Sequence, residues 1–288
     1  MMTPATIAAG SARMHQVCAG SGDPVLFLHG MPTSCHLWDR VVGRLSAHFT
    51  CIAVDLPGLG RTPRLAGGFR ELDALVACIE ALRIERGIEK WHMVGHDAGC
   101  VIAVEYGHLY PYRVGRLALL TPSIFPDLKP FSLFEILRKP VVGEVMAPAI
   151  NLLFWKFVMR LALEDDANTY RDRDDIVHDF HAPFQGLAGA WRLMSLLRWG
   201  DPAEVLASMP KRLTELLPPT LIFHGRRDPA VPRAFATRAA SLIPESEVIF
   251  LDSGHFLPMS EPAIIARELL RFFTANRRLG LQLPSAAD

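Results

Sequence analysis

Short apolar runs recur along the chain: PVLFLHG (Pro24–Gly30), CIAVDLPG (Cys51–Gly58), WHMVGHD (Trp91–Asp97), RLALLTP (Arg116–Pro122), PTLIFHGRRD (Pro219–Asp228) and SEVIFLDSGH (Ser246–His255). Most are apolar at consecutive rather than alternate positions, as in strands covered on both faces. Helix-period patterns lie between them, over Leu37–Phe49, Glu71–Arg86, Gly99–Tyr110, Arg233–Leu242 and Pro262–Asn276. This alternation predicts an α/β fold with a mostly parallel, doubly wound sheet.

The rhythm breaks between residues 123 and 218, where helical stretches are separated by turns rich in Pro, Gly and Asp. Residues 1–122 and 219–288 are therefore expected to form the α/β core, and residues 123–218 an inserted helical cap. The most membrane-like stretch, Val145–Leu163, carries Pro148, Asn151, Lys156 and Arg160. A bilayer span needs about 20 nearly uncharged residues, so this stretch predicts a buried or amphipathic lid helix. Trp155, Trp191 and Trp199 are expected to pack the cap, and Leu279–Asp288 to be frayed. There is no internal repeat.

Composition narrows the function classes. Half of the 288 residues are apolar, and 30 Lys+Arg balance 30 Asp+Glu. One core with a smaller lid can be filled, and nothing favours nucleic acid or a membrane surface as partner. The expected partner is a hydrophobic small molecule, with the chain a monomer or homodimer. The cysteines at 18, 35, 51, 78 and 100 are odd in number and lack C-x-x-C spacing. That favours a reducing, cytoplasmic compartment and suggests no metal site. The N-terminal stretch has no basic start followed by a sustained apolar run, so no export signal is expected.

Candidate chemistry falls at strand ends, where open α/β sheets bind ligands. Asp97 ends one strand inside a Gly-x-Asp-x-Gly turn, Asp228 ends another, His255 follows the last, and HGMPTS (His29–Ser34) follows the first long one. The order nucleophile, acid, histidine is that of nucleophile-elbow hydrolases. An aspartate has a reason to stand where a serine is usual. Serine displacing a leaving group from saturated carbon would form an ether, which water does not readily cleave. A carboxylate forms an ester whose carbonyl water can attack, and it is ionised at neutral pH without help from a base. Asp127, after RLALLTP, is a competing acid but reads as a surface turn residue. His29 and His96 are expected to shape the turn or the pocket wall.

Over nearly its whole length the sequence resembles the α/β-hydrolase superfamily. HGMPTSCHLW, DLPGLGRT and GHDAG are similar to its aspartate-nucleophile branch of epoxide hydrolases, haloalkane dehalogenases and fluoroacetate dehalogenases. The resemblance implies a cofactor-free, metal-free hydrolase with Asp97 as nucleophile, His255 as base and Asp228 orienting it. It also implies an oxyanion hole from the backbone N–H groups of Met31 and Ala98.

The chain departs from each branch. Dehalogenases hold the halide with an indole after the nucleophile and often an asparagine after the HG pair; Ala98 and Met31 offer no side-chain donor there. Fluoroacetate dehalogenases carry arginine at the position of Ala98. Epoxide hydrolases protonate the ring oxygen with two cap tyrosines, and this cap has Tyr170 alone, in a charged segment. Trp155 is a candidate leaving-group donor, and His178 and His181 candidate proton donors. Epoxide hydrolysis is the expected activity and dehalogenation the alternative. A cofactor-free lyase or isomerase, or a non-catalytic binding module, would use the same fold.

Overall fold

The computed structural model describes residues 2–9, 12–65, 72–129, 132–153, 174–197, 204 and 206–275. Its strands are β1 (Thr3–Ala9), β2 (Ala12–Ala19), β3 (Asp23–Leu28), β4 (Phe49–Val54), β5 (Trp91–His96), β6 (Val114–Leu120), β7 (Thr220–Gly225) and β8 (Ser246–Leu251). They form one sheet in the order β1-β2-β4-β3-β5-β6-β7-β8. The pairs from β4 to β8 are parallel, and β1–β2 and β2–β4 are antiparallel.

Burial follows position in the sheet. Strand β7, paired on both sides, is buried at every residue, whereas β8, at the edge, is mostly half-buried. This is why LIFHG is an unbroken apolar run and SEVIF opens with Ser and Glu. The helices are α1 (Asp39–Leu45), α2 (Leu72–Glu85), α3 (Ala98–Leu109), α4 (Ser132–Arg138), α5 (Val142–Leu153), α6 (Asp174–His181), α7 (Gly186–Leu197), α8 (Met209–Thr214), α9 (Arg233–Leu242), α10 (Leu257–Ser260) and α11 (Pro262–Thr274). α3 is buried from Gly99 through Gly107, because it packs against the sheet along β5. α11 buries Ile265, Leu269, Phe272 and Phe273 at helical spacing and turns its arginines outward.

The sequence reading missed the β1–β2 hairpin, whose many small and polar residues give no clear alternation. The helix expected over Leu37–Phe49 is a 3₁₀ turn at Cys35–Trp38 followed by α1. Its last residue, Phe49, instead opens β4.

Among the described residues, the segment between β6 and β7 is helical. The helix expected over Val145–Leu163 appears in part, as α5, which exposes Val142 and Val145 and buries Ala147. The rest of that stretch, Trp155, Trp199 and the tail Leu279–Asp288 lie outside the described residues. Trp191 corrects an expectation: it is 53% exposed, because α7 turns it to solvent while Ala190, Leu193 and Met194 face inward. No helix is long and apolar enough to cross a membrane among the described residues.

Where the chain returns to the core, Arg212 of α8 meets Glu105 of α3, buried beneath it, at 2.8 Å. Arg212 also donates to His108 Nε2 at 2.7 Å, and His108 Nδ1 lies 3.3 Å from Glu215. All five cysteines are unbridged.

Candidate active site

Asp97 sits between β5 and α3 with φ 50° and ψ −119°, a conformation that costs free energy for any residue but glycine. Its backbone fits because its N–H donates to Leu120 O at 3.1 Å and its carbonyl accepts from Cys100 N at 2.9 Å. Aspartate is a good helix N-cap, yet this side chain makes no capping bond. Instead Asp97 Oδ2 accepts the N–H of Met31 at 3.1 Å. A Cβ on Gly99 would stand 2.4 Å from Leu28 O, and one on Gly95 would stand 2.7 Å from Gly99 O. The two glycines thus let α3 start directly against β3 and β5.

Asp228 and His255 come from the turns after β7 and β8. His255 Nδ1 donates to Asp228 Oδ2 at 2.9 Å, which leaves Nε2 as the ring's basic nitrogen. Asp228 Oδ1 takes the N–H groups of Ala230 at 2.7 Å and Val231 at 3.0 Å. Burial pushes the Asp228 carboxyl up, but the His255 charge and these bonds outweigh it and hold the group below the usual range. Burial pushes His255 down; the charge and hydrogen bond of Asp228, with the charge of Asp97, more than offset this and raise it. A base raised this way gains a proton readily in mid-reaction.

The loops around the three residues are tied by buried polar groups. His29 Nε2 accepts Leu56 N–H at 2.9 Å, so Nδ1 carries the proton toward Gly30 O at 2.8 Å. Asp55 accepts from Cys35 N at 2.7 Å, Arg61 N at 2.8 Å and His15 Nδ1 at 2.9 Å. Burial opposes its charge, but the His15 hydrogen bond and the backbone donors of Arg61 and Cys35 hold the carboxyl well below the usual range. His15, Cys35 and Asp55 also place nitrogen, sulfur and oxygen within 4.8 Å of one another. In that cluster Asp55 is committed to its N–H donors, and burial pushes the Cys35 thiol up, so the donors present fit a loop clasp better than a metal.

Residues 23–262 match the profile of a family described as alpha/beta hydrolase fold. The chain belongs to that family. A dihydrolipoyllysine-residue acetyltransferase component of the acetoin cleaving system from Cupriavidus necator is 31% identical over 84% of this α/β hydrolase and 61% of its own length. The chain thus spans less than two thirds of that relative. A cis-3-alkyl-4-alkyloxetan-2-one decarboxylase from Shewanella oneidensis is 26% identical over 95% of the chain and 89% of its own length. A soluble epoxide hydrolase from a Corynebacterium strain is 27% identical over 92% and 95%. In fold, the chain superposes on the 2-hydroxy-6-oxo-6-phenylhexa-2,4-dienoate hydrolase of a Rhodococcus strain with a TM-score of 0.82, at 22% identity over 96% of this chain and 99% of that one.

The structure of this α/β hydrolase brings Asp97 together with Met31, and Asp228 with His255. Ala98 opens α3 beside them. Asp127 stands apart in an exposed pair with Arg238 at 2.8 Å. His178 is exposed on α6 and accepts from the Gln185 amide at 3.4 Å, and His181 is half-buried at the end of α6. Trp155 and Tyr170 lie outside the described residues. Sequence reasoning did not find Asp179, on the same helix, whose Oδ2 accepts from Ser34 Oγ at 3.1 Å and lies 3.7 Å from His36 Nε2. Nor did it find the Asp55 clasp, although DLPGLGRT was singled out. Both join residues far apart in the chain, so no local spacing announces them.

Proposed function

We propose that this α/β hydrolase opens a strained oxygen heterocycle on a hydrophobic small molecule, an epoxide first, through a covalent ester on Asp97. One observation carries the reading: at the elbow stands a carboxylate whose Oδ2 is held by the Met31 N–H, which leaves Oδ1 to attack. Attack forms the C–O ester bond as the ring C–O bond breaks, and the ring oxygen takes a proton from the helical insert, with His181 and Tyr170 the candidates. His255 then takes a proton from water, and the water oxygen attacks the ester carbonyl. The oxyanion sits where Oδ2 was held, facing Met31 and Ala98 N–H. Asp228 stabilises the imidazolium; collapse then expels the alkoxide, which takes the His255 proton to complete the diol, and the second proton of the water returns to the donor in the helical insert as Asp97 is restored as a carboxylate.

The relative that is a soluble epoxide hydrolase supports this substrate class. The oxetanone decarboxylase relative favours a second reading, a lyase acting on a four-membered ring ester from the same carboxylate. Dehalogenation ranks below both, because Met31 and Ala98 supply no side-chain donor for a halide. Losing one such donor typically costs about 2.7–4 kcal/mol.

Single turnover in heavy-oxygen water is expected to label the Asp97 carboxylate, and His255→Gln to hold substrate mass on the peptide carrying Asp97. Label passing straight to product over an unlabelled protein would refute the ester. A matched panel of aryl epoxides, β-lactones and 1-bromoalkanes separates the substrates; halide release outrunning diol formation would refute the epoxide reading.

A further inference from the structure

We propose that His96 and Thr121 are positioning residues for His255, clamping its main-chain carbonyl from two neighbouring strand ends. This rests on the Asp97–His255 reading above. His96 Nε2 donates to His255 O at 2.9 Å, and Thr121 Oγ1 donates to the same oxygen at 3.3 Å. His96 is the last residue of β5 and immediately precedes Asp97, while Thr121 follows β6. The clamp therefore references the base directly to the nucleophile's own strand, so the two move together.

Three features say that these donors are placed rather than incidental. First, His96 is buried, and its Nδ1 has no protein hydrogen-bond partner. A phenyl ring would fill the same space without an orphaned nitrogen, so the Nε2 bond is what the imidazole contributes. Second, Thr121 has φ 48°, and a β-branched residue in that region is an outlier that persists only where its surroundings hold it. Its N–H donates to Phe223 O at 2.8 Å, which fixes the hydroxyl beneath the His255 loop. Third, the His96 and His255 rings meet edge to face at 4.9 Å between centroids. Carbonyl and ring of His255 are thus both set by the residue before the nucleophile.

The carbonyl can only accept, so His96 must carry its proton on Nε2. Burial and then the His255 charge push the His96 ring down to about 4. It stays neutral while His255 is charged and does not compete for the reaction's proton.

The test uses His96→Phe, His96→Gln, Thr121→Val, Thr121→Ser and the Phe/Val double variant, with styrene oxide as probe. Gln Nε2 stands as many bonds from Cβ as His Nε2, and Ser keeps the hydroxyl. Each single removal is expected to lower kcat about fivefold, the order of one neutral hydrogen bond. KM should fall in parallel, because the Asp97 ester accumulates and appears as a mass gain. Gln and Ser should restore kcat to within about twofold. The double variant, which strips the carbonyl of both side-chain donors, should lose more than the product of the singles, about a hundredfold. Wild-type kcat in His96→Phe, or a Gln variant as slow as Phe, would overturn the clamp. Imidazole nitrogen spectra of the wild-type protein give a reading independent of substrate and of variant folding: His96 as the neutral Nε2–H tautomer supports the clamp, and Nδ1–H overturns it. An absence of trapped ester in His255→Gln identifies failure of the Asp97 reading instead, and the clamp is then decided by that tautomer.

Discussion

Gly30→Ala adds one methyl group beside the carboxylate proposed as nucleophile. Gly30 has no left-handed torsion to protect, so its reason is space. An added Cβ would stand 2.5 Å from Asp97 Cβ and 2.6 Å from Oδ2, against an ordinary contact that begins near 3.4 Å. The carboxylate must give way by roughly 0.9 Å, and a displacement of about 1 Å at a reacting group costs on the order of 10²-fold in rate. Strain of this size costs about 1–3 kcal/mol in stability, which a domain of this size should survive. The assay is the rate of mass gain at Asp97 in a His255→Gln background, which isolates the first chemical step, beside a melting curve. Gly43→Ala is the control, since nothing lies within 4 Å of the added atom. Ester formation at the parent rate in Gly30→Ala, with an unshifted melting curve, would sink the account of how Asp97 is seated.

Asp228→Asn removes the charge that raises His255, so burial dominates and the acid limb of kcat, which is set by hydrolysis of the ester, should move to lower pH. In the parent protein that limb lies above the ordinary histidine value of 6.5, and the stability this pair supplies is present below 6.5 and fades as pH rises through the raised value. The maximal rate should also fall, by about 10⁴-fold if the site behaves as a triad, while Asp127→Asn changes neither limb nor rate; an unmoved limb in Asp228→Asn would refute the pairing. Asp55→Asn should cost about 3–5 kcal/mol at neutral pH, because it breaks a buried charged clasp. Since the Asp55 carboxyl is held down, that contribution is full above the ordinary aspartate value of 3.8 and is lost as pH falls below it. The gap in melting temperature between parent and variant should therefore close with acidification, and a gap constant with pH would argue against the clasp.

The parallel part of the sheet was legible because both faces of those strands are covered, so each reads as an unbroken apolar run with its site residue just past the end. Asp97, Asp228 and His255 were singled out as candidates that way. The β1–β2 hairpin was not, because its exposed outer strand carries Thr, Pro and Ala where an apolar period would have been informative. The Asp55 clasp and the His96–His255 bond were illegible for a different reason. Each partner looks ordinary alone, and only the crossovers bring residues 15, 35 and 55, or 96 and 255, within reach. In the helical insert the obstacle was ambiguity of role: His178, His181 and Tyr170 are all chemically able donors. Exposure now separates His178 from His181.

The Glu105–Arg212 joint bears on how the helical segment is fastened to the sheet. The insert leaves the core after β6 and returns through α8, and that return is pinned to the back of the helix that begins at Ala98. The buried carboxylate of Glu105 would be stranded if the returning arginine were lost, so the splice point is held fixed by the cost of an unpaired charge. The joint acts as a rivet: the chain that leaves the sheet after β6 is fastened to α3 on its way back, at a point set by charge rather than by shape.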